Sequence, residues 1–213
     1  MRNETYFITS TDTECGKTYV TCQLLDYFKR QGKSVLGLKP IAAGTDDNGC
    51  NEDALLLQDH SSVELDYQQT NPFCFEAPIS PNIAASWQQA CFTADEVDEA
   101  LKPLKDSADI VVVEGAGGIC VPFNDQENWL DLLDRLQIPV ILVVGMKLGC
   151  INHALLSEAM LLSRGVEVTG WVANQIAPGM LAYQENLATL KTWLKTPMLA
   201  EVKHNSHLGV FAV

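Results

Sequence analysis

The stretch Ser10-Thr11-Asp12-Thr13-Glu14-Cys15-Gly16-Lys17-Thr18 constrains this chain more than any other. It follows a short apolar run, Tyr6-Phe7-Ile8, and opens a helical pattern from about Thr18 to Arg30. Strand, loop ending in Gly-Lys-Thr, then helix is the context a phosphate-binding loop requires. Backbone N–H groups of the loop and the helix N-terminus converge on an anion, and the helix dipole adds to the attraction. Lys17 then reaches the outer phosphates, and the Thr18 hydroxyl is a ligand for Mg²⁺. One position departs from the usual pattern, which has Gly where this chain has Ser10. Serine is small enough for a tight turn but lacks glycine's freedom at positive φ. The plain alternative is a chance Gly-Lys-Thr ahead of a helix, and the preceding strand argues against it.

A chain of 213 residues suits one α/β domain over residues 1–213, large enough to bury a core. A hydrophobic fraction of 47% with 19% charged residues excludes intrinsic disorder. No apolar run follows a basic segment at the N-terminus, so no signal peptide is expected. The longest apolar stretch, Ile138 to Val144, holds Pro139 and is far too short to span a bilayer, which points to a cytoplasmic protein. A net charge of −13 repels phosphate backbones, so nucleic acid is an unsuitable partner and any phosphate must be held in a small local site. The seven cysteines are scattered and none forms a C-x-x-C pair, so neither a zinc site nor a disulfide framework is expected. Cys15 alone stands out, because a thiol beside a helix N-terminus can ionise more easily. The four histidines do not form a metal set: His60 and His207 read as surface residues, His153 as part of a first helical turn, and His204 follows the last strand within reach of a nucleotide.

Along the chain, Ser34 to Leu38 reads as a second strand that Pro40 ends, leaving Lys39 at its carboxyl end, where ligands bind in open α/β sheets. Ala42 to Asn51 reads as loop, and Glu52-Asp53 starts a helix; Asp53 is either a carboxylate favoured by the helix dipole or a metal ligand. Asn71 to Pro81, with three prolines, reads as irregular loop. Ser80-Pro81 then caps a helix to about Ala90, on which Trp87 reads as packing, and Thr93 to Glu96 is a capping box for a helix to about Lys105. The β-branched run Ile110 to Val113 is that of a strand buried on both faces, delivering Glu114 at its end before the turn Gly115-Ala116-Gly117-Gly118. A carboxylate there is placed to support Mg²⁺ beside a phosphate loop. A helix from about Glu127 to Leu136 and a strand Val140 to Val144 follow. Gly145 to Asn152 then opens a helix from about His153 to Arg164, whose N-terminus suits a second anion such as a carboxylate, with Asn152 a possible cap. A strand Gly170 to Ala173 delivers Asn174, a helix spans about Met180 to Leu194, and a short segment Met198 to Val202 comes last. The pattern predicts a mostly parallel sheet with helices on both faces, so that Lys39, Glu114, the Gly145–Asn152 turn and Asn174 share one edge with the phosphate loop.

Taken together, Thr11-Asp12-Thr13-x-x-Gly16-Lys17-Thr18, Lys39-Pro40, Asp53, Val113-Glu114-Gly115-Ala116-Gly117-Gly118, Lys147-Leu148-Gly149-Cys150-Ile151-Asn152-His153-Ala154 and Gly170-Trp171-Val172-Ala173-Asn174 closely resemble dethiobiotin synthetase. The resemblance runs to about Glu201. It implies a P-loop α/β fold and an ATP- and Mg²⁺-dependent cyclo-ligase of biotin synthesis. Such an enzyme joins CO₂ to 7,8-diaminononanoate, as a homodimer with substrate at the subunit interface. It further implies Lys17, Lys39 and Thr13 acting on the carbamate and γ-phosphate, and Thr18, Asp53 and Glu114 as metal ligands. By the same resemblance, nucleotide contacts come from Glu14, Cys15, Gly16, Lys17, Thr18, Tyr19, Gly115, Ala116, Gly117, Asn174, Gln175, Val202, Lys203 and His204. Substrate contacts come from Thr13, Lys39 and Ala43, and from Gly149, Cys150, Ile151 and Asn152 of the second subunit. The chain departs from the family at Ser10, at Ala43 where many members have serine, and at Lys203-His204 where a proline and an aromatic are common.

Two rival classes remain open at this stage. A switch-type P-loop ATPase of the partitioning or metal-delivery kind would hydrolyse ATP without any diamine, although the loop has no second lysine and the chain no C-x-x-C. A non-catalytic nucleotide-binding regulator leaves Lys39 and Glu114 without a purpose. Asn174-Gln175-Ile176 is not the N-K-x-D signature of a GTPase.

Overall fold

A computed structural model of the protein describes residues 3–206 and 211–212; His207 lies outside them. Six parallel strands form the main sheet: β1 (Glu4–Ser10), β2 (Val35–Leu38), β5 (Ile110–Gly118), β6 (Val140–Gly145), β7 (Val168–Asn174) and β8 (Met198–Val202). Their spatial order is β2-β5-β1-β6-β7-β8. The phosphate loop leaves β1, which has β5 on one side and β6 on the other, so it opens where the strand order reverses direction.

The period-2 alternation of the strands divides the core into two layers. Ile8, Val112, Ile141 and Val143 pack on one face against Val20, Leu24 and Phe28 of α1 (Lys17–Arg30) and Leu57 of α2 (Glu52–His60). Phe7, Val111 and Val113 face the other way, onto α5 (Ala94–Leu101) and α6 (Trp129–Leu136). Leu142, Val144, Trp171 and Ala173 share that second face, under α7 (Cys150–Ser163) and α8 (Tyr183–Trp193). Among the described residues, no helix is long and apolar enough to cross a membrane.

Several local expectations needed correction. β3 (Ile41–Ala43) runs into the stretch read as loop at Ala42–Asn51, and β4 (Phe73–Phe75) lies within the one read as loop at Asn71–Pro81; the two pair in parallel as a separate two-stranded sheet. Pro40 offers no N–H to continue β2, so the chain leaves the main sheet and finds a new partner. Phe73 and Phe75 hold β4 down by stacking on Phe92 at 5.2 and 5.5 Å. Trp87 does not pack: α4 (Pro81–Trp87) buries Ala84 and Ala85, while Ile83 and Trp87, one turn apart on its outer side, stay exposed. The helix expected to reach Lys105 gives way at Leu101 to a 3₁₀ turn containing Pro103.

Buried Glu158 ties α7 to the end of the sheet, accepting from the backbone N–H groups of Lys195 and Thr196 (2.9 Å each) and the Thr196 hydroxyl (2.6 Å). Glu158→Ala leaves three partly buried donors without this acceptor, and urea titration is expected to show a loss of about 3 kcal/mol. A change below ~0.5 kcal/mol would mean that water replaces these bonds without cost.

Candidate active site

Three loops and a strand converge beyond the carboxyl ends of β1, β2 and β5. They line a cavity of about 710 Å³ bounded by Thr13 to Thr18, Lys39, Ala42, Ala43, Asn51, Asp53, Ala116 and Gly117, and by Pro78, Ile79, Ser80, Pro81 and Val121. A second hollow of about 420 Å³ beside Trp87 holds none of the phosphate-loop, lysine or paired carboxylate groups.

The phosphate loop turns left-handed twice. Glu14 has φ +57° and Gly16 has φ +73°, after which α1 begins at Lys17. Non-glycine residues avoid this region, so Glu14 is held there by its surroundings. Cys15 is buried, its sulfur 3.3 Å from the Thr11 hydroxyl, which makes it a packed thiol rather than an exposed one. Ser10 does more than replace glycine. Its hydroxyl lies 2.7 Å from the Asp12 carbonyl and 3.2 Å from that of Gly117, and it accepts from Lys17 Nζ at 3.3 Å. Lys17 is itself buried, and desolvation, with the nearby Lys39 charge, lowers its pKa.

The central cluster joins residues from four segments: Lys39 after β2, Asp53 of α2, Glu114 and Gly115 of β5, and Thr18 of α1. Lys39 Nζ donates to Glu114 Oε1 (2.6 Å), Asp53 Oδ2 (3.1 Å) and the Gly115 carbonyl (3.2 Å). Thr18 donates its hydroxyl to the same Glu114 Oε1 at 2.8 Å. Burial alone would lower the pKa of Lys39, but the two carboxylates outweigh it and hold the ammonium charged. Burial likewise pushes the half-exposed Asp53 upward, and Lys39 reverses the sign, holding it below the ordinary carboxylate range. Glu114 is fully buried, and its Oε2 has no hydrogen-bond partner among the described residues. It sits inside β5 rather than at its end. Between Ile8↔Glu114 and Ser10↔Gly118 the register slips, so the glycine-rich segment continues as a bulged strand.

Residues that sequence reasoning did not single out support this cluster. Asn71 donates its amide to the Lys39 carbonyl at 2.6 Å, and the Lys39 N–H reaches the Thr70 carbonyl. Asn51 caps α2, which places Asp53 in the first turn of the helix. Pro78, Ile79 and Val121 add an apolar wall. Ser80-Pro81 was legible as a helix start, but only the fold reveals that this start faces the cavity.

The remaining expected residues fall into two groups. Asn174 ends β7 and its amide donates to the Cys15 carbonyl at 2.8 Å, so it meets the phosphate loop directly. Gln175 pairs with Val202 through the backbone (2.8 Å), and Tyr19 donates its hydroxyl to the Ser206 carbonyl at 2.6 Å, forming a rim next to the loop. The His204 N–H lies 3.5 Å from Gln175 Oε1 in that rim. Lys203 turns elsewhere: it pairs with Glu201 and lies over the Tyr183 ring at 4.5 Å. Gly149 to Asn152 do not line the cavity of their own chain. Gly149, with φ +94°, rather than Asn152, caps α7, which therefore starts at Cys150. Lys147, just before this turn, pairs with Asp12 of the phosphate loop at 2.6 Å.

A family model described as an AAA domain matches residues 4–210. The ATP-dependent dethiobiotin synthetase BioD of Aromatoleum aromaticum is 43% identical over 202 residues, covering 93% of this chain and 90% of its own length. BioD 1 of Escherichia coli K12 is 42% identical, with 92% and 89% covered, and BioD of Legionella pneumophila strain Corby is 42% identical, with 96% and 95% covered. Among solved structures, the signal recognition particle receptor FtsY of Elizabethkingia anophelis superposes with a TM-score of 0.58 at 16% identity, covering 99% of this chain, which spans 62% of that one. MinD of Pyrococcus horikoshii, complexed with Mg-ADP, gives 0.55 at 15% identity, with 95% and 82% covered. At such identities these two likenesses concern the fold alone, a P-loop α/β architecture. Identities above 40% along nearly the whole length carry more, and this chain belongs to the ATP-dependent dethiobiotin synthetase family.

Proposed function

We propose that this protein is an ATP-dependent dethiobiotin synthetase, working as one domain over residues 1–213. It joins CO₂ to 7,8-diaminononanoate to give dethiobiotin, ADP and phosphate. The observation that carries this reading is the meeting of Lys17, Lys39 and Asp53, from three separate segments, in one cavity at the phosphate loop, with buried Glu114 held behind them by Lys39 and Thr18. Overall identity to the BioD relatives supports it along the whole chain.

The chemistry needs little acid–base work. One substrate amine adds CO₂ and releases a proton, leaving a carbamate. A carbamate oxygen attacks the γ-phosphorus of ATP and ADP departs. The second amine then attacks the carbonyl carbon of the mixed anhydride, closing the ring and expelling phosphate. Positioning and charge neutralisation dominate such transfers. Lys17 and Lys39 neutralise the carbamate and the γ-phosphoryl oxygens as charge moves between them. Thr13, at the mouth of the loop, orients the transferring group. Ala43, which offers no hydroxyl, leaves that side of the carbamate to Lys39 and backbone groups.

Mg²⁺ fits the residues present. Thr18, Asp53 and Glu114 supply hard oxygen donors, and the orphaned Glu114 Oε2 is an acceptor lacking a partner among the described residues. Among those residues no three His, Cys, Asp or Glu side chains cluster as a complete metal site, so phosphate oxygens and water would complete this one. When bound, the ion would neutralise negative charge on the phosphates during transfer. Lys39 takes up one oxygen of each carboxylate.

The substrate carboxylate goes to the start of α7 in a second copy, through the backbone N–H groups of the Gly149–Asn152 turn. Support for a homodimer comes from exposed apolar side chains on and just before α7: Leu148, 97% exposed, in the turn before it, and Leu156 and Met160 at i,i+4 on the helix. Seven unpaired cysteines suit a reducing compartment, the cytoplasm.

Steady-state ADP release tests the reading. Release should rise steeply only when the diamine and bicarbonate are both present. Release indifferent to both would favour a switch-type ATPase.

A further inference from the structure

Asn174 sits at the end of β7, 5% exposed and fixed by its neighbours. In the sheet it lies opposite Gly145 and Val202, and its carbonyl accepts from the Met146 N–H at 2.8 Å. From this rigid base its amide donates to the Cys15 carbonyl at 2.8 Å. The contact is close on the other side too: a Cβ added to Gly16 would lie 2.2 Å from Asn174 Nδ2.

The peptide joining Cys15 to Gly16 is trans, as no cis bond occurs among the described residues. In a trans peptide the C=O and N–H point in opposite directions. Drawing the Cys15 carbonyl onto Asn174 therefore turns the Gly16 N–H away from Asn174, and Gly16 lines the cavity at the phosphate loop. The loop needs such a hold, because Glu14 and Gly16 both sit in the left-handed region and neighbouring conformations compete.

We propose that Asn174 is a positioning residue for the phosphate loop: it aims the Gly16 N–H at the phosphates by fixing the Cys15 carbonyl, whatever base the nucleotide carries. The proposal rests on the reading of this loop as an ATP site and goes beyond a contact with adenine. One amide hydrogen serves Cys15, and the second hydrogen and the carbonyl oxygen remain for the base. Base recognition and phosphate grip then pass through one side chain.

The two roles separate when the ligand has no adenine. Binding of ATP, CTP and inorganic tripolyphosphate, each with Mg²⁺, is measured by calorimetry on the wild type, Asn174→Ala and Asn174→Asp. The aspartate keeps the shape but, when ionised, has no hydrogen to donate, so a cavity left by alanine is not mistaken for the lost bond. Both variants are expected to weaken all three ligands by a similar factor, about tenfold, the value of one well-placed hydrogen bond. Melting curves that stay cooperative for either variant keep the comparison valid. Loss confined to ATP, with CTP and tripolyphosphate unchanged, would reduce Asn174 to an adenine contact and overturn the proposal. Wild-type protein that bound none of the three would overturn the ATP reading and the proposal with it.

Discussion

Lys39→Ala is expected to lower kcat/KM by about a thousandfold or more while leaving a cooperatively folded protein. Lys39 is 3% exposed and is the cation in direct contact with Glu114, which is fully buried. On the proposed mechanism, its loss removes a charge from the position where negative charge develops during phosphoryl transfer. It also leaves Glu114 without its ion pair, so the melting temperature should drop by a few degrees. A second readout comes from acid. The folded pKa of Asp53 is lowered by Lys39, so this pair adds stability above the unfolded carboxylate value of about 3.8. That contribution fades as pH falls through the lowered folded value, and Lys39→Ala should lack this part of the acid loss. Near wild-type turnover in the variant would remove Lys39 from the mechanism.

Gly16→Ala should weaken ATP binding by about a hundredfold. The residue has φ +73°, where a side chain costs roughly 1–2 kcal/mol. The new Cβ would also lie 2.2 Å from Asn174 Nδ2, breaking its bond to Cys15, worth about 1 kcal/mol more. The loop escapes both costs by leaving the left-handed region, and ATP must then restore it at its own expense. About 3 kcal/mol corresponds to that hundredfold. Titration with a fluorescent ATP analogue measures it, and wild-type affinity would show that the cradle does not depend on this conformation.

The site was legible in the sequence wherever one physical rule applies locally. Gly16-Lys17-Thr18 after an apolar run marks a strand-to-helix turn that gathers N–H groups. An unbroken run, Ile110 to Val113, marks a strand buried on both sides, with Glu114 next in line. Pro40 marks the end of a strand and leaves Lys39 there. These rules concern residues a few positions apart, where backbone sterics and hydrophobic periodicity act.

Other features were out of reach because they depend on contacts between segments distant in sequence. β3 and β4 carry too few residues for a period to show, and they exist because Pro40 turns the chain away from β2 and Phe92 offers Phe73 and Phe75 a stacking partner. Trp87 looked like core, yet the short α4 has room to bury only its alanine side. Ser10 looked like a blemish, and its hydroxyl proved to bridge toward Asp12, Gly117 and Lys17.

The sequence by itself determined the parallel main sheet and the order of its strands along the chain, and it singled out the candidate site groups, because spacing and side-chain chemistry suffice for these. Only the tertiary structure decided which partner each group has. Lys39 meets both Asp53 and Glu114, and Asn174 grips the Cys15 carbonyl, because parallel strands joined by helices bring their carboxyl ends to one edge, where distances of about 3 Å turn separate motifs into a single electrostatic unit.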